Sequence, residues 1–316
     1  MKEARRKLFI EIDREPKRRP YGAFIDFFVE EENIQFEFDG PSSLLATDEA
    51  IVQIHFAPDQ PLGSLREKKL YRAIIEGFAT AGEAEAMGLS LSLSLLWSAI
   101  TKDFGVRLDY HSPLPCIVYD RIHFDPHSGS TRAHLSNSFP ATASDLAELM
   151  SDVLGSSTVV DRQLLLSMEL YAGASLEISD RAKFLGRVSA LEPLATQNRY
   201  PDSITKLIDN FRQQLQSVEL ADFSNADTAK LKASLDSRLK QLQQESIRQA
   251  LLRVVREVFP EDEEPVRAID EAYALRSKML HEGTTDPYLD RKTHEVERII
   301  RRIYAARVGK PLKIGN

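Results

Sequence analysis

The sequence predicts an α+β amino-terminal domain, an antiparallel sheet plus helices over residues 1–140, followed by an all-α up-and-down helical bundle over residues 141–316. Two observations carry this. Residues 7–56 hold short runs that alternate apolar and polar side chains and are rich in Phe, Ile and Val, separated by Pro16, Pro20, Asn33, Gly40 and Pro41, a two-residue period with turn punctuation. From Thr142 onward the apolar residues recur at helical spacing, with only short joints between the segments, which favours antiparallel neighbours in a bundle.

In chain order, strands are expected at Leu8–Ile12, Ala23–Val29, Ile34–Phe38 and Ile51–Phe56. Asp26, Glu37 and His55 fall on alternate positions there and read as the wet face of the sheet. From Ser64 the period changes: Leu65, Leu70, Ile74, Ile75 and Phe78 fit a helix. Gly82 to Phe104 contains a Leu-Ser alternation that fits a strand. Leu89, Leu93, Leu96, Ile100 and Phe104 also form a helical stripe, and the length of the segment decides for a helix. Residues 105–140 read as loop with one strand at Cys116–Tyr119. Further helices are expected over Asp145–Leu154, Asp161–Ala174 and Asp180–Leu194, the last capped by Ser179 or Asp180. Pro201 and Asp202 open another, through Val218. Asp227 opens a long one through Phe259. A penultimate helix carries Val266, Ile269 and Tyr273, and Pro287 starts the last, to about Val308.

Length and composition narrow the function. A chain of 316 residues, 42% hydrophobic, suggests two domains with ordinary cores. No continuous run of about 18 apolar residues occurs, so no membrane span is expected. The start, with Leu8, Phe9 and Ile10 soon followed by Glu11, does not read as a signal peptide. A lone cysteine, Cys116, excludes an internal disulfide framework and fits a reducing cytoplasm. The net charge of −7 argues against nonspecific coating of DNA. It is uneven: residues 1–156 hold 16 Lys+Arg against 24 Asp+Glu, and residues 157–316 hold 25 against 24. Contact with a polyanion is therefore expected in the second half. His111, His123, His127 and His134, with Asp120 and Asp125 between them, match no zinc-binding spacing, so no metal and no cofactor is expected.

The stretch Tyr273-Ala-Leu-Arg-Ser-Lys-Met-Leu-His-Glu-Gly283 carries the candidate chemistry. Arg276 is a permanent cation with a planar fork of donors, and His281 titrates near neutrality. Gly283 supplies a helix stop. Five residues apart, Arg276 and His281 differ by about 140° around a straight helix, so they meet only where the helix ends. A histidine in a last turn feels the negative end of the helix dipole, which favours its protonated form. On spacing alone, pairing of Arg276 with Glu271 or Glu282 on the surface and capping by His281 is the plainer arrangement.

These residues, with Arg181-Ala-Lys-Phe-Leu-Gly-Arg-Val-Ser-Ala-Leu-Glu192-Pro-Leu upstream, resemble the HEPN (higher eukaryotes and prokaryotes nucleotide-binding) domain family, most closely its Apea-like branch, over about residues 159–308. The resemblance implies a HEPN-like bundle and a metal-independent endoribonuclease, with Arg276 and His281 catalytic. It also implies pairing of two bundles about a twofold axis, so that both copies line one cleft. Ser277 stands where the family favours Asn, Asp or His and would help to shape the site. Lys278, Glu192, Arg298 and Arg302 are candidate supporting or RNA-binding residues. Many members of the family serve in toxin–antitoxin or anti-phage systems, and some are inactive binding modules.

The chemistry agrees with that expectation. Cleavage of RNA without a metal needs a 2′-hydroxyl deprotonated, a phosphorane stabilised and a 5′-oxygen protonated. Arg276 suits the second task, and a histidine either proton transfer. One histidine does not easily perform both transfers at once, whereas two in a homodimer cleft do. The expected partners are thus RNA, a second copy of the chain, and an inhibitor or activating ligand at the amino-terminal domain. The alternative is a catalytically inactive HEPN module that dimerises and holds RNA or a nucleotide.

Overall fold

The computed structural model describes residues 19–29, 42–46, 51–56, 69–109, 113–124, 126, 150, 153–154, 160–218, 225–284 and 286–311. Contacts divide the chain into two compact units. One takes the sheet, the helices up to Ala190 and the last helix; the other is Leu191–Thr284. The expected boundary near residue 140 lies outside the described residues, as do the strands expected at Leu8–Ile12 and Ile34–Phe38.

The first unit is built on a six-stranded antiparallel sheet. Its strands are β1 (Tyr21–Val29), β2 (Ser42–Ala46), β3 (Ile51–Phe56), β4 (Lys69–Phe78), β5 (Val106–Asp109) and β6 (Ile117–Asp120), in the order β2-β3-β4-β1-β5. β6 shares the outer edge of β1 with β5: Tyr21–Phe24 pair with β6, and Asp26–Val29 with β5. β1 is therefore central, and its side chains are buried in an almost unbroken run, as expected for a strand covered on both faces.

Two expectations are corrected here. Leu70–Phe78 is strand rather than helix. The apolar run Tyr71-Arg-Ala-Ile-Ile fits either period, and pairing with β1 on one side and β3 on the other decides it. Asp26 is not on a wet face. It is 2% exposed, and Arg72, opposite it in register, donates to both of its carboxylate oxygens at 2.7 Å. An ion pair of this kind lets a charged residue occupy a position that the alternation assigns to solvent.

The Leu-Ser segment is a helix, as the stripe predicts: α1 spans Ala81–Lys102. Three of its buried serines are tolerated in the core because their hydroxyls bond back one turn, Ser92 to the Gly88 carbonyl at 3.0 Å, Ser94 to the Ser90 carbonyl at 2.7 Å and Ser98 to the Ser94 carbonyl at 2.8 Å. Thr80 caps the start of α1, and Asp103, at φ 60°, ends it. By length and composition α1 is long and apolar enough to cross a membrane, but 83% of its apolar window is buried inside the protein. Gly88 lies where a Cβ would stand 2.9 Å from Cys116 Sγ and 3.0 Å from Ala23 Cβ, so α1 sits close upon the sheet.

Among the described residues this unit also holds α2 (Arg162–Ala174), α3 (Asp180–Ser189) and α8 (Leu289–Val308). Their core includes Met168, Tyr171, Phe184, Val188, Ile300, Ile303 and Tyr304. At its centre Arg187 is 2% exposed. It donates to Glu297 Oε1 at 2.8 Å, to Ser175 Oγ at 2.7 Å and to the Tyr171 carbonyl, and its guanidinium lies 3.8 Å from the Tyr171 ring centroid.

The second unit holds α4 (Asp202–Ser217), α5 (Asn225–Gln241), α6 (Ile247–Val258) and α7 (Glu263–His281). The single helix expected over Asp227–Phe259 is two. It breaks at residues 242–246 because this segment pairs instead with residues 198–200: Tyr200 N–H donates to the Gln243 carbonyl, and Glu245 N–H to the Asn198 carbonyl, both at 2.9 Å. Ser246 then opens α6 with a reciprocal capping box to Gln249. The helix expected through Leu194 ends at Ser189, and Glu192–Leu194 form one turn of 3-10 helix with Pro193 inside it.

Candidate functional site

α7 is set by its termini and one apolar stripe. Asp262 caps its start by accepting from Glu264 N–H, and Pro265 in the first turn loses no bond that the helix would have made. Pro265, Val266, Ile269, Ala272 and Met279 form its buried face. Arg276 continues that stripe, four residues after Ala272 and three before Met279. Its side chain is accordingly only 20% exposed, and Nη1 lies 2.9 Å from Glu192 Oε1. Glu192 is presented by the 3-10 turn and is itself 31% exposed. The surface pairings with Glu271 and Glu282 open to Arg276 on spacing alone are replaced by a partner some eighty residues away.

Tyr273 completes the cluster. Burial, with the charge of Glu192 adding, pushes its phenol above the ordinary range. The Arg276 guanidinium stands 5.6 Å from its ring centroid. The sequence signal for Tyr273 was its place three residues before Arg276, which puts the two on one helix face; it reads equally well as core. Clamps hold the segment that presents Glu192. Arg253 donates to the Thr196 carbonyl at 2.7 Å and pairs with Glu245 at 3.3 Å and Glu257 at 2.9 Å. The backbone N–H of Asn198 is the main reason the Glu245 carboxyl is held below its usual range.

His281 is the last residue of α7. Glu282 is the C-cap, its N–H donating to the Lys278 carbonyl, and Gly283 follows at φ 68°. The left-handed stop expected of Gly283 is present. His281, Ser277 and Lys278 are exposed. Because α7 stays regular through His281, the ring sits about 140° around the axis from Arg276. The structure thus joins Arg276, Glu192 and Tyr273 in one cluster, and leaves His281, Ser277 and Lys278 on open surface of the same helix. Arg298 and Arg302 are exposed on α8 in the first unit. Two other cations of that basic helix are occupied internally: Arg301 bonds Tyr171 Oη and Asp103, and Lys292 pairs with Asp286.

Among the described residues no group of three or more His, Cys, Asp or Glu is placed to hold a metal ion. Of the four loop histidines only His123 is described; it is exposed, 3.9 Å from Asp120. The first unit also carries a polar cavity of about 250 Å³ that sequence reasoning did not find, lined by Asp103, Lys183, Arg187, Asp290, His294 and Glu297 among others. A hydrogen bond to the Asp290 backbone, with the Asp290, Glu297 and Asp103 carboxylates adding, raises the affinity of His294 for its proton.

Compared with known proteins, the chain matches no family model, no curated protein and no solved structure.

Proposed function

We propose that this chain is a metal-independent endoribonuclease of HEPN type. It would cleave RNA, tRNA among the candidates, by attack of the ribose 2′-hydroxyl, as a homodimer in phage defence or a toxin system of the cytoplasm. Arg276 supplies the donors for the scissile phosphate. His281 exchanges protons with the 2′- and 5′-oxygens, one histidine from each copy. Ser277 and Lys278 contact the RNA from the same helix, Arg298 and Arg302 on α8 are further RNA-binding residues of the first unit, and the amino-terminal sheet domain receives the inhibitor or activating ligand. The observation that supports this best is the end of α7. A cation held in place by Glu192 and an accessible imidazole lie on the last turns of one helix that terminates at Gly283.

The pairing of Arg276 with Glu192 also favours the second reading, a binding module that does not cut, because a carboxylate already occupies the guanidinium. Incubation of the protein with total RNA or tRNA in EDTA separates the two. Cleavage yielding 2′,3′-cyclic phosphate ends, and lost in Arg276→Ala and His281→Ala, supports the nuclease. Tight binding with no product supports the module. Cleavage that survives both substitutions removes these residues from the site.

A further inference from the structure

The polar cavity of about 250 Å³ is formed by residues of the first unit alone. Its depth is graded. Arg187, Thr293 and Glu297, which are 2%, 4% and 14% exposed, form the floor, and Asp103, His294 and Asp290, at 60%, 71% and 80%, form the rim. Two helix faces supply most of it. Lys183 and Arg187 lie one turn apart on α3, and Asp290, Thr293 or His294, and Glu297 follow one another at three or four residues along α8, each set on one side of its helix. Most of the charge in the cavity is matched: Arg187 with Glu297 at 2.8 Å, Arg301 with Asp103, and His294 with Asp290 at 3.3 Å. Lys183 is the exception. It is partly buried and lines the cavity, and its ammonium has no hydrogen-bond or ion-pair partner among the described residues. We propose that this cavity binds a small zwitterion of the α-amino-acid class, its carboxylate on Lys183 and Arg187 and its ammonium on Thr293 and Glu297.

Donors, acceptors and size choose that class. The Lys183 ammonium brings its N–H donors, and Arg187 still has N–H groups to give: of the guanidinium's set, one goes to Glu297, one to the Tyr171 carbonyl and one to Ser175 Oγ, and the second hydrogens of Nη1 and Nη2 remain. Two cations one turn apart suit a carboxylate. On the facing helix Glu297 accepts from Arg187 through Oε1 only, which leaves Oε2. Thr293 Oγ1 donates its hydrogen to the Leu289 carbonyl at 2.8 Å and keeps its lone pairs. Those two oxygens suit an ammonium. A bare anion such as phosphate would meet Glu297, Asp290 and Asp103 as well as Lys183, and a bare cation would be opposed by Lys183. A molecule with one charge of each sign satisfies both walls. At roughly 30 Å³ for each water-sized group, the cavity holds about eight of them, which admits a small amino acid and excludes a nucleotide or an RNA strand. The inference stands whether or not α7 cuts RNA, and no RNA enters its test.

Thermal unfolding of the full chain with each common α-amino acid in turn, up to about 10 mM, is expected to show a raised midpoint for at least one small or polar member, because a ligand of the folded form stabilises it. Calorimetric titration of that amino acid then gives its Kd. Its carboxamide and its N-acetyl derivative should each bind at least about tenfold more weakly, having lost one charged contact. Lys183→Met should weaken binding to the same degree while leaving the circular dichroism and the midpoint of the unliganded protein unchanged, and Lys183→Arg should keep most of the affinity. A midpoint that no amino acid moves overturns the inference. So does a carboxamide or an N-acetyl derivative that binds as well as its parent, and so does full binding by Lys183→Met.

Discussion

Replacing Arg187 with leucine should cost the first unit about 4 kcal/mol. The guanidinium is 2% exposed and Glu297, its partner at 2.8 Å, has a side chain 14% exposed. Removing the cation leaves that carboxylate largely buried without its counter-charge, and loss of one member of a buried pair typically costs about 3–5 kcal/mol. The Tyr171 carbonyl and Ser175 Oγ lose a donor as well. For a unit of this size the midpoint of thermal unfolding should fall by roughly 8–16 °C. Trp97, the single tryptophan of the sequence, is 3% exposed in α1 of the same unit, so urea unfolding followed by its fluorescence reads this unit. Adding Glu297→Leu removes the stranded charge and should restore about half of the loss, because a buried pair replaced by apolar groups is often close to neutral. A loss below about 1 kcal/mol in the single variant would refute the reasoning, and so would a double variant weaker than the single one.

Three other outcomes are expected. Gly88→Ala forces a Cβ to within 2.9 Å of Cys116 and 3.0 Å of Ala23; it should cost about 1–3 kcal/mol in the same assay, and no loss would show that α1 does not sit so close to the sheet. Burial pushes the Cys116 thiol up to about 11 from 9.0, with the charge of Glu85 adding. Its proton is thus held more tightly in the folded state. The contribution is full below pH 9 and is lost as pH rises toward 11, by at most about 3 kcal/mol. Cys116→Ala should flatten that alkaline decline relative to wild type, and parallel pH profiles would deny it. Ser246→Ala removes the reciprocal cap of α6 and should cost about 1 kcal/mol, seen as faster hydrogen exchange in the first turn of α6; unchanged exchange would mean that the pairing of 198–200 with 243–245 alone starts the helix.

The periodicity of apolar residues determined much of this molecule. It gave the strands at Ala23–Val29 and Ile51–Phe56, the helical nature of the Leu-Ser segment, and helices ending near Ala174, Val218 and Val308. These signals are local: a side chain's place around an axis or across a pleat follows from its number alone. It also marked Arg276 and His281 as neighbours in the chain, and Gly283 as a stop. Where residues three to five apart suffice to define a geometry, the sequence contained it.

Partners distant in the chain were decided only by the tertiary structure. Tyr71–Phe78 became strand because β1 and β3 offered hydrogen bonds on both sides, and short apolar runs have no period of their own to resist that. Asp26 went into the core because Arg72 stood opposite it. The helix read through Phe259 broke because residues 198–200 took its backbone bonds. Arg276 found its carboxylate in Glu192, some eighty residues away in the chain. Each is a contest between a local preference of a few tenths to about 1 kcal/mol and a long-range hydrogen bond or ion pair of greater strength once shielded from water. The sequence states the local preference, whereas the long-range term exists only after the chain has closed upon itself.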